Sequence, residues 1–160
     1  MGVAGAGKTL IGSRLARALG MEFVEGDDYH PAANVERMAA GVPLSDDDRG
    51  PWLAALGARI ADARRAGNGL VVACSALKRG YRDLLREADP TLRFVHLTGS
   101  RGLIAERLEQ RTGHYMPRSL LDSQFATLEL PAGEEGVWTI DARDSPERIV
   151  ETIVARAREG

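Results

Sequence analysis

One cysteine, Cys74, stands among the 160 residues of the chain. It leaves no internal disulfide and no Cys-rich zinc cluster, and it fits a reducing compartment, so the cytoplasm is the expected location. The three histidines, His30, His96 and His114, have no ligand spacing to one another or to the cysteine, and they build no metal cage. Lys and Arg number 21 against 23 Asp and Glu, a formal net charge of −2. With no basic field, a polymeric nucleic-acid partner is disfavoured. No apolar run approaches a membrane span, and the N-terminus carries no apolar leader, so no membrane partner is expected. What is present is 28% charged and 44% hydrophobic residues, a globular balance at a length that predicts one domain over 1–160.

Gly2-Val3-Ala4-Gly5-Ala6-Gly7-Lys8-Thr9 fits G-x-x-x-x-G-K-[ST] at every fixed position. The glycines let the backbone turn tightly and aim its N–H groups at phosphate oxygens. Lys8 is expected to reach the β- and γ-phosphates and the Thr9 hydroxyl to sit on Mg²⁺, with the positive end of the following helix beneath them. Such a loop ordinarily follows a buried strand, and here only Met1 precedes it.

Hydrophobic spacing predicts a helix over 8–19, a strand over 21–24 and a helix over 32–40. A longer helix is expected from near Pro51 to Arg65, with Trp52, Leu53, Leu56 and Ile60 on one face. The apolar run Leu70 to Cys74 reads as a strand buried on both faces of a parallel sheet. A helix over 78–88, a strand over 93–97 and a helix over 101–111 follow. The polar stretch 112–118 reads as a lid, leading into a helix that carries Leu121, Phe125 and Leu128. Val137 to Ile140 is the last strand, and Ser145-Pro146 opens the last helix. Strands alternating with helices give an α/β fold, three layers around a parallel sheet. Ligands in such sheets bind at the carboxyl ends of the strands, where the polar clusters at 25–31, 75–79 and 141–144 fall beside the phosphate loop.

A phosphate loop announces a nucleotide; a kinase also needs an acid for the acceptor hydroxyl and cations for phosphate and acceptor. Asp27 and Asp28 follow the 21–24 strand. One can accept the hydroxyl proton while the other holds Mg²⁺-bound water, against the alternative of a solvated Asp-rich turn. His30, held extended by Pro31, either donates to a substrate oxygen or fixes its own loop. Arg49 can grip a carboxylate with two parallel hydrogen bonds or pair with Asp46 to Asp48. Lys78 and Arg82, four residues apart, can share a helix face toward the crevice. Arg107 and Arg111 enter the lid as cations for the transferring phosphate, or form a solvated face. His96, within a strand, reads as structural.

With those residues in view the chain resembles the small, phosphate-loop gluconokinases, relatives in architecture of shikimate kinase and the nucleoside monophosphate kinases. The likeness runs over nearly the whole chain. It rests on MGVAGAGKT, GDDYHP at 26–31, GVPLSDDDRGPWL at 41–53, CSALKRGYRDLLR at 74–86, RTGHYMP at 111–117 and QFATLELP at 124–131. The resemblance implies transfer of the γ-phosphate of ATP, with Mg²⁺, to the 6-hydroxyl of D-gluconate. It implies that Gly2 to Thr9, with Arg107 and Arg111, bind the nucleotide, and that Lys8, Asp27 and Arg111 carry the chemistry. Asp27, His30, Arg49, Lys78 and Arg82 would hold gluconate, Thr9 and Asp28 the metal side. Such enzymes are commonly homodimers. A kinase of another small hydroxy acid such as shikimate, or a nucleotide-binding module without kinase activity, are the alternatives.

Two departures from the family pattern shape the expectations. Relatives of this kind carry residues ahead of the loop that form the first, central strand, so that strand is expected to be largely missing, leaving two unpaired ladders. The strand ending Ala73-Cys74-Ser75 offers no acid in the usual Walker-B place, so Asp27 or Asp28 is expected to supply the metal-side carboxylate.

Overall fold

The computed structural model describes residues 1–110 and 118–159. Its elements alternate in the expected order: α1 (Lys8–Leu19), β1 (Glu22–Glu25), α2 (Ala32–Ala39), α3 (Asp46–Arg65), β2 (Leu70–Ala73), α4 (Arg79–Ala88), β3 (Phe94–Thr98), α5 (Arg101–Glu109), α6 (Arg118–Thr127), β4 (Val137–Asp141) and α7 (Pro146–Glu159). A short 3₁₀ turn, Gly26–Tyr29, follows β1. Helix α3 begins five residues before Pro51, where the expectation had placed its start. Ser45 accepts from the Asp48 N–H while the Asp48 carboxylate accepts from the Ser45 N–H, a reciprocal capping box. Three acids in the first turn then face the positive end of the helix dipole. The cap outweighs the interior proline, which lacks an N–H for the Asp47 carbonyl.

Two apolar cores lie on the two faces of the strands. One joins Ile11 and Leu15 of α1, Ile104 of α5 and Ile149 and Ile153 of α7 to Leu97 and Ile140. The other gathers Trp52, Leu56 and Ile60 of α3 and Tyr81 and Leu85 of α4 around Phe94. Helix on strand on helix is the three-layer architecture read from the alternation.

The strands form two parallel pairs. β1 pairs with β2 in the register Val24↔Val72, and β3 with β4 in the register His96↔Thr139. No ladder joins β2 to β3 among the described residues. Met1 is the link between the halves: its N-terminal ammonium donates to the Val95 carbonyl, and its own carbonyl accepts from the Leu97 N–H at 3.0 Å. The next residue turns to the other half, the Gly2 N–H donating to the Ser75 carbonyl at 3.1 Å. Met1 thus occupies one position of a central strand, and behind it runs a cleft of about 620 Å³ lined by Leu70, Val72, Val95, Leu97, Ile11 and Leu15. Burial in this setting lowers the ammonium pKa to about 6.

The candidate active site

Three strands deliver their carboxyl ends to the phosphate loop, and the backbone there leaves no room for side chains. Gly2 has φ 139°, and a Cβ on it would stand 2.6 Å from the Leu97 carbonyl oxygen. Gly5, at φ 80°, would place one 2.9 Å from Leu108 of α5. Gly7, left-handed at φ 95°, opens α1. Val3 and Ala6 are buried beneath the loop. Ala4 donates its N–H to the Gln124 Oε1 at 2.6 Å. Lys8 donates from Nζ to the Val3 carbonyl at 3.0 Å, folded back over the loop that it is expected to serve.

Thr9 donates from Oγ1 to Glu25 Oε2 at 2.6 Å. Glu25, the last residue of β1, is an acid beside the phosphate loop that sequence reasoning did not single out. Its cue was available: it directly precedes the GDDYHP run and closes the strand beside the loop. A hydroxyl and a carboxylate in contact form the oxygen donor set that suits Mg²⁺, which keeps several waters and takes few protein ligands. Gly26 follows because the chain here crosses β2, where a Cβ would come 2.5 Å from the Ala73 carbonyl oxygen.

The 3₁₀ turn then presents Asp27 and Asp28, both exposed, their carboxylates without hydrogen-bond partners among the described residues. Trp52 pins the turn by donating from Nε1 to the Gly26 carbonyl at 2.8 Å. His30 stacks on the Trp52 ring with centroids 4.5 Å apart and planes 11° from parallel. Its Nδ1 lies 3.4 Å from Asn34 Nδ2, and burial pushes its pKa down. Those contacts favour the loop-fixing role of the two held open for His30.

A cluster of alternating charge faces the turn. Lys78 donates to both oxygens of Asp46, at 2.8 and 2.7 Å, and the Tyr81 hydroxyl donates to the same carboxylate. These bonds hold the Asp46 carboxyl below the usual carboxylate range and raise the pKa of Lys78. Arg49 donates from Nη1 to the Leu44 carbonyl at 2.6 Å and sits over the Tyr81 ring. Its Nε and Nη2 have no partner among the described residues. Arg49 pairs with none of the neighbouring acids, which leaves one edge of its guanidinium open.

Arg82 departs from expectation. Lys78 caps α4 from outside in an extended conformation, so the two do not share a helix face. The Arg82 side chain is fully buried, and each of its five N–H groups has an acceptor. Nε and Nη2 engage both oxygens of Glu134, Nη1 serves the Ala76 and Leu77 carbonyls at 2.9 and 3.1 Å, and Nη2 also reaches the Glu129 carbonyl at 3.2 Å. With no N–H left over, Arg82 holds the 75–78 loop instead of a substrate. That loop needs holding, since Ala76 has φ 42°, a strained value for a residue with a Cβ. The Arg82 guanidinium, helped by Arg86, lowers the Glu134 carboxyl to about 2.

Arg107 donates from Nη2 to the Ala142 carbonyl at 2.6 Å, tying α5 to the loop after β4. Arg111, His114 and the lid read at 112–118 concern residues 111–117, with the Arg118 side chain, which lie outside the described residues. His96 is buried within β3 as read, its Nδ1 without a hydrogen-bond partner. No group of three or more metal-ligating side chains occurs among the described residues. No described helix is long and apolar enough to cross a membrane.

Comparison with known proteins agrees with this geometry. The family model described as an AAA domain matches residues 1–131. The Gluconobacter oxydans gluconokinase is 48% identical over 154 residues, 96% of this chain and 86% of that protein. The Escherichia coli thermosensitive gluconokinase is 48% identical over 143 residues, 88% of this chain and 76% of its own length. The crystal structure of a gluconokinase from Sinorhizobium meliloti superposes with a TM-score of 0.87 at 50% identity, covering 94% of this chain and 85% of that one. A phosphate loop whose threonine meets a strand-end acid, followed by an unpaired aspartate turn and a cationic wall, is carried here on a chain that belongs to the gluconokinase family.

Proposed function

We propose that this chain transfers the γ-phosphoryl group of ATP to the 6-hydroxyl of gluconate. The observation that carries the reading is the contact between Thr9 and Glu25, two residues before the unpaired Asp27 carboxylate. Nucleotide and acceptor are thereby brought to one strand end, where in-line transfer requires them. Thr9, with Glu25 or Asp28, would hold Mg²⁺, which when bound would neutralise charge at the β- and γ-phosphates.

The chain's own groups divide the remaining work. Backbone N–H groups of the loop and the start of α1 orient the phosphates. Lys8 swings from the Val3 carbonyl to the phosphate oxygens, exchanging a neutral acceptor for a charged one. Asp27 accepts the proton of the acceptor hydroxyl as the oxygen attacks phosphorus. The open edge of Arg49 and the Nζ of Lys78 receive gluconate's carboxylate and hydroxyls, with His30 stacked at the rim. Arg107 fixes the loop after β4 against the base, Arg111 serves the transferring phosphate from the lid at 112–118, and the enzyme works in the cytoplasm as a homodimer.

Phosphorus NMR of the product of Mg-ATP and gluconate tests this. The expected result is a phosphomonoester coupled to the two C6 protons; ester at another carbon, or ATP hydrolysis without ester, overturns it.

A further inference from the structure

We propose that Gln124 is a nucleotide-site residue: its amide oxygen holds the phosphate loop at Ala4, while its amide NH₂ donates to a bound phosphate oxygen. The inference builds on the ATP-binding reading of the loop.

The backbone bonds of the loop are otherwise local or run to the end of β2. Gln124 comes from α6, 120 residues away, and its Oε1 takes the Ala4 N–H at 2.6 Å. The direction of that bond settles the orientation of the amide, because a backbone N–H needs an oxygen acceptor. The NH₂ end then has no hydrogen-bond partner among the described residues, and it is anchored at the rim of a loop shaped to receive anions.

The helix that carries Gln124 is fixed independently of that bond. Leu121 is buried in the core shared with Val3 and Ala6. At the far end of α6 the Glu129 N–H donates to the Leu77 carbonyl at 2.9 Å, and the Arg82 guanidinium holds the Glu129 carbonyl. The loop is also contacted from α5, through Ile104 and Leu108 packed on Gly5. Helices α5 and α6 are the two that flank residues 111–117, so both meet the loop directly.

The choice of side chain is itself informative. A carboxylate would accept the Ala4 N–H more strongly than a neutral amide. It would also put a negative charge at the edge of a site for a polyanion and would lose the donor. Glutamine keeps the acceptor, adds a donor and stays neutral. A purely structural tie has no reason to prefer it.

The test is direct titration calorimetry of ATP and of ADP, with thermal unfolding alongside. Gln124→Glu retains the acceptor, so unfolding should stay close to wild type, while both nucleotides should bind about tenfold more weakly or worse. Gln124→Met, which retains bulk and removes both polar ends, should weaken binding by roughly threefold to tenfold. Gluconate's KM should move less than that of ATP in both. A nucleotide Kd within twofold of wild type in either folded variant overturns the proposal. Because binding is read directly, a chain that fails to phosphorylate gluconate still reports on Gln124.

Discussion

The middle of the sheet and its carboxyl rim are built to opposite standards. Between β2 and β3 the ladder is interrupted by a cleft of about 620 Å³, bridged among the described residues by the backbone of Met1 on the β3 side and of Gly2 on the β2 side. A few ångströms further along the same strands, polar groups are matched with few exceptions. Arg82 has an acceptor for every N–H, Asp46 takes Lys78 and Tyr81 together, and Trp52 directs its only donor to Gly26. The exceptions at the rim are chemical: the exposed Asp27 and Asp28, the open edge of the half-buried Arg49 and the amide NH₂ of Gln124. The rim's order comes from its own contacts. It is held from the sides, by α3 and α4 on the acceptor wall and by α5 and α6 on the phosphate loop.

If that is right, changes at the rim and changes at the cleft must separate in kind. The largest effect falls on Asp27→Asn, which removes the proton acceptor from an exposed turn: kcat should drop by about 10² to 10⁴ with unfolding and ATP affinity unchanged. A near-normal kcat in steady-state assays removes Asp27 from that role.

Arg82→Ala comes next and acts on stability first. It leaves Glu134 buried without its main partner and frees the strained Ala76 loop, at a cost of about 3–5 kcal/mol in urea unfolding. Should that loss come out below about 1 kcal/mol, the rim is not held by this clamp.

Acid should expose the middle of the sheet. Burial lowers the His96 pKa to about 4 from an ordinary value of 6.5, with the Met1 ammonium and Arg82 adding to the shift. The folded state therefore binds fewer protons than the unfolded chain between those values. The His96 contribution to stability is fully present above about pH 6.5, falls as pH drops toward 4 and levels off below, a loss of roughly 1–3 kcal/mol. His96→Leu should flatten that part of the curve; an unchanged slope would assign it to other groups.

The smallest effect is expected at the cleft wall. Val72→Ala removes methyl groups that border a space already there, and should cost under about 1 kcal/mol, against the roughly 2–5 typical of filled cores. A core-sized loss would mean that the cleft is packed in solution.

Most of the frame was legible because it rests on local rules. The phosphate loop, the helix it opens and the Ser145-Pro146 start all follow from backbone needs at single positions. The apolar run at 70–74 was read correctly as a strand but not as one buried on both faces, since Leu70, Val71 and Val72 are half-buried along the cleft. The misses are of another kind. Helix α3 starts at Asp46 because a reciprocal cap outweighs the proline that marked its start in the sequence. Arg82 looked like a substrate cation because charge predicts exposure, and the acid that buries it lies 52 residues away. Glu25 and Gln124 were overlooked because each is an ordinary residue made special by a partner from another element. Local chemistry marks where a site is; only the long-range contacts say which of its residues are free to act.

The central claim is that the rim, held from its sides, forms a working gluconate kinase site. Mg-ATP consumption measured across a panel of gluconate, other sugar acids, shikimate and nucleoside monophosphates tests it most directly. Gluconate should stimulate turnover far more than any other acceptor. Equal stimulation by shikimate or another acid would reassign the acceptor pocket, and ATP binding without acceptor-dependent turnover would contradict the claim outright.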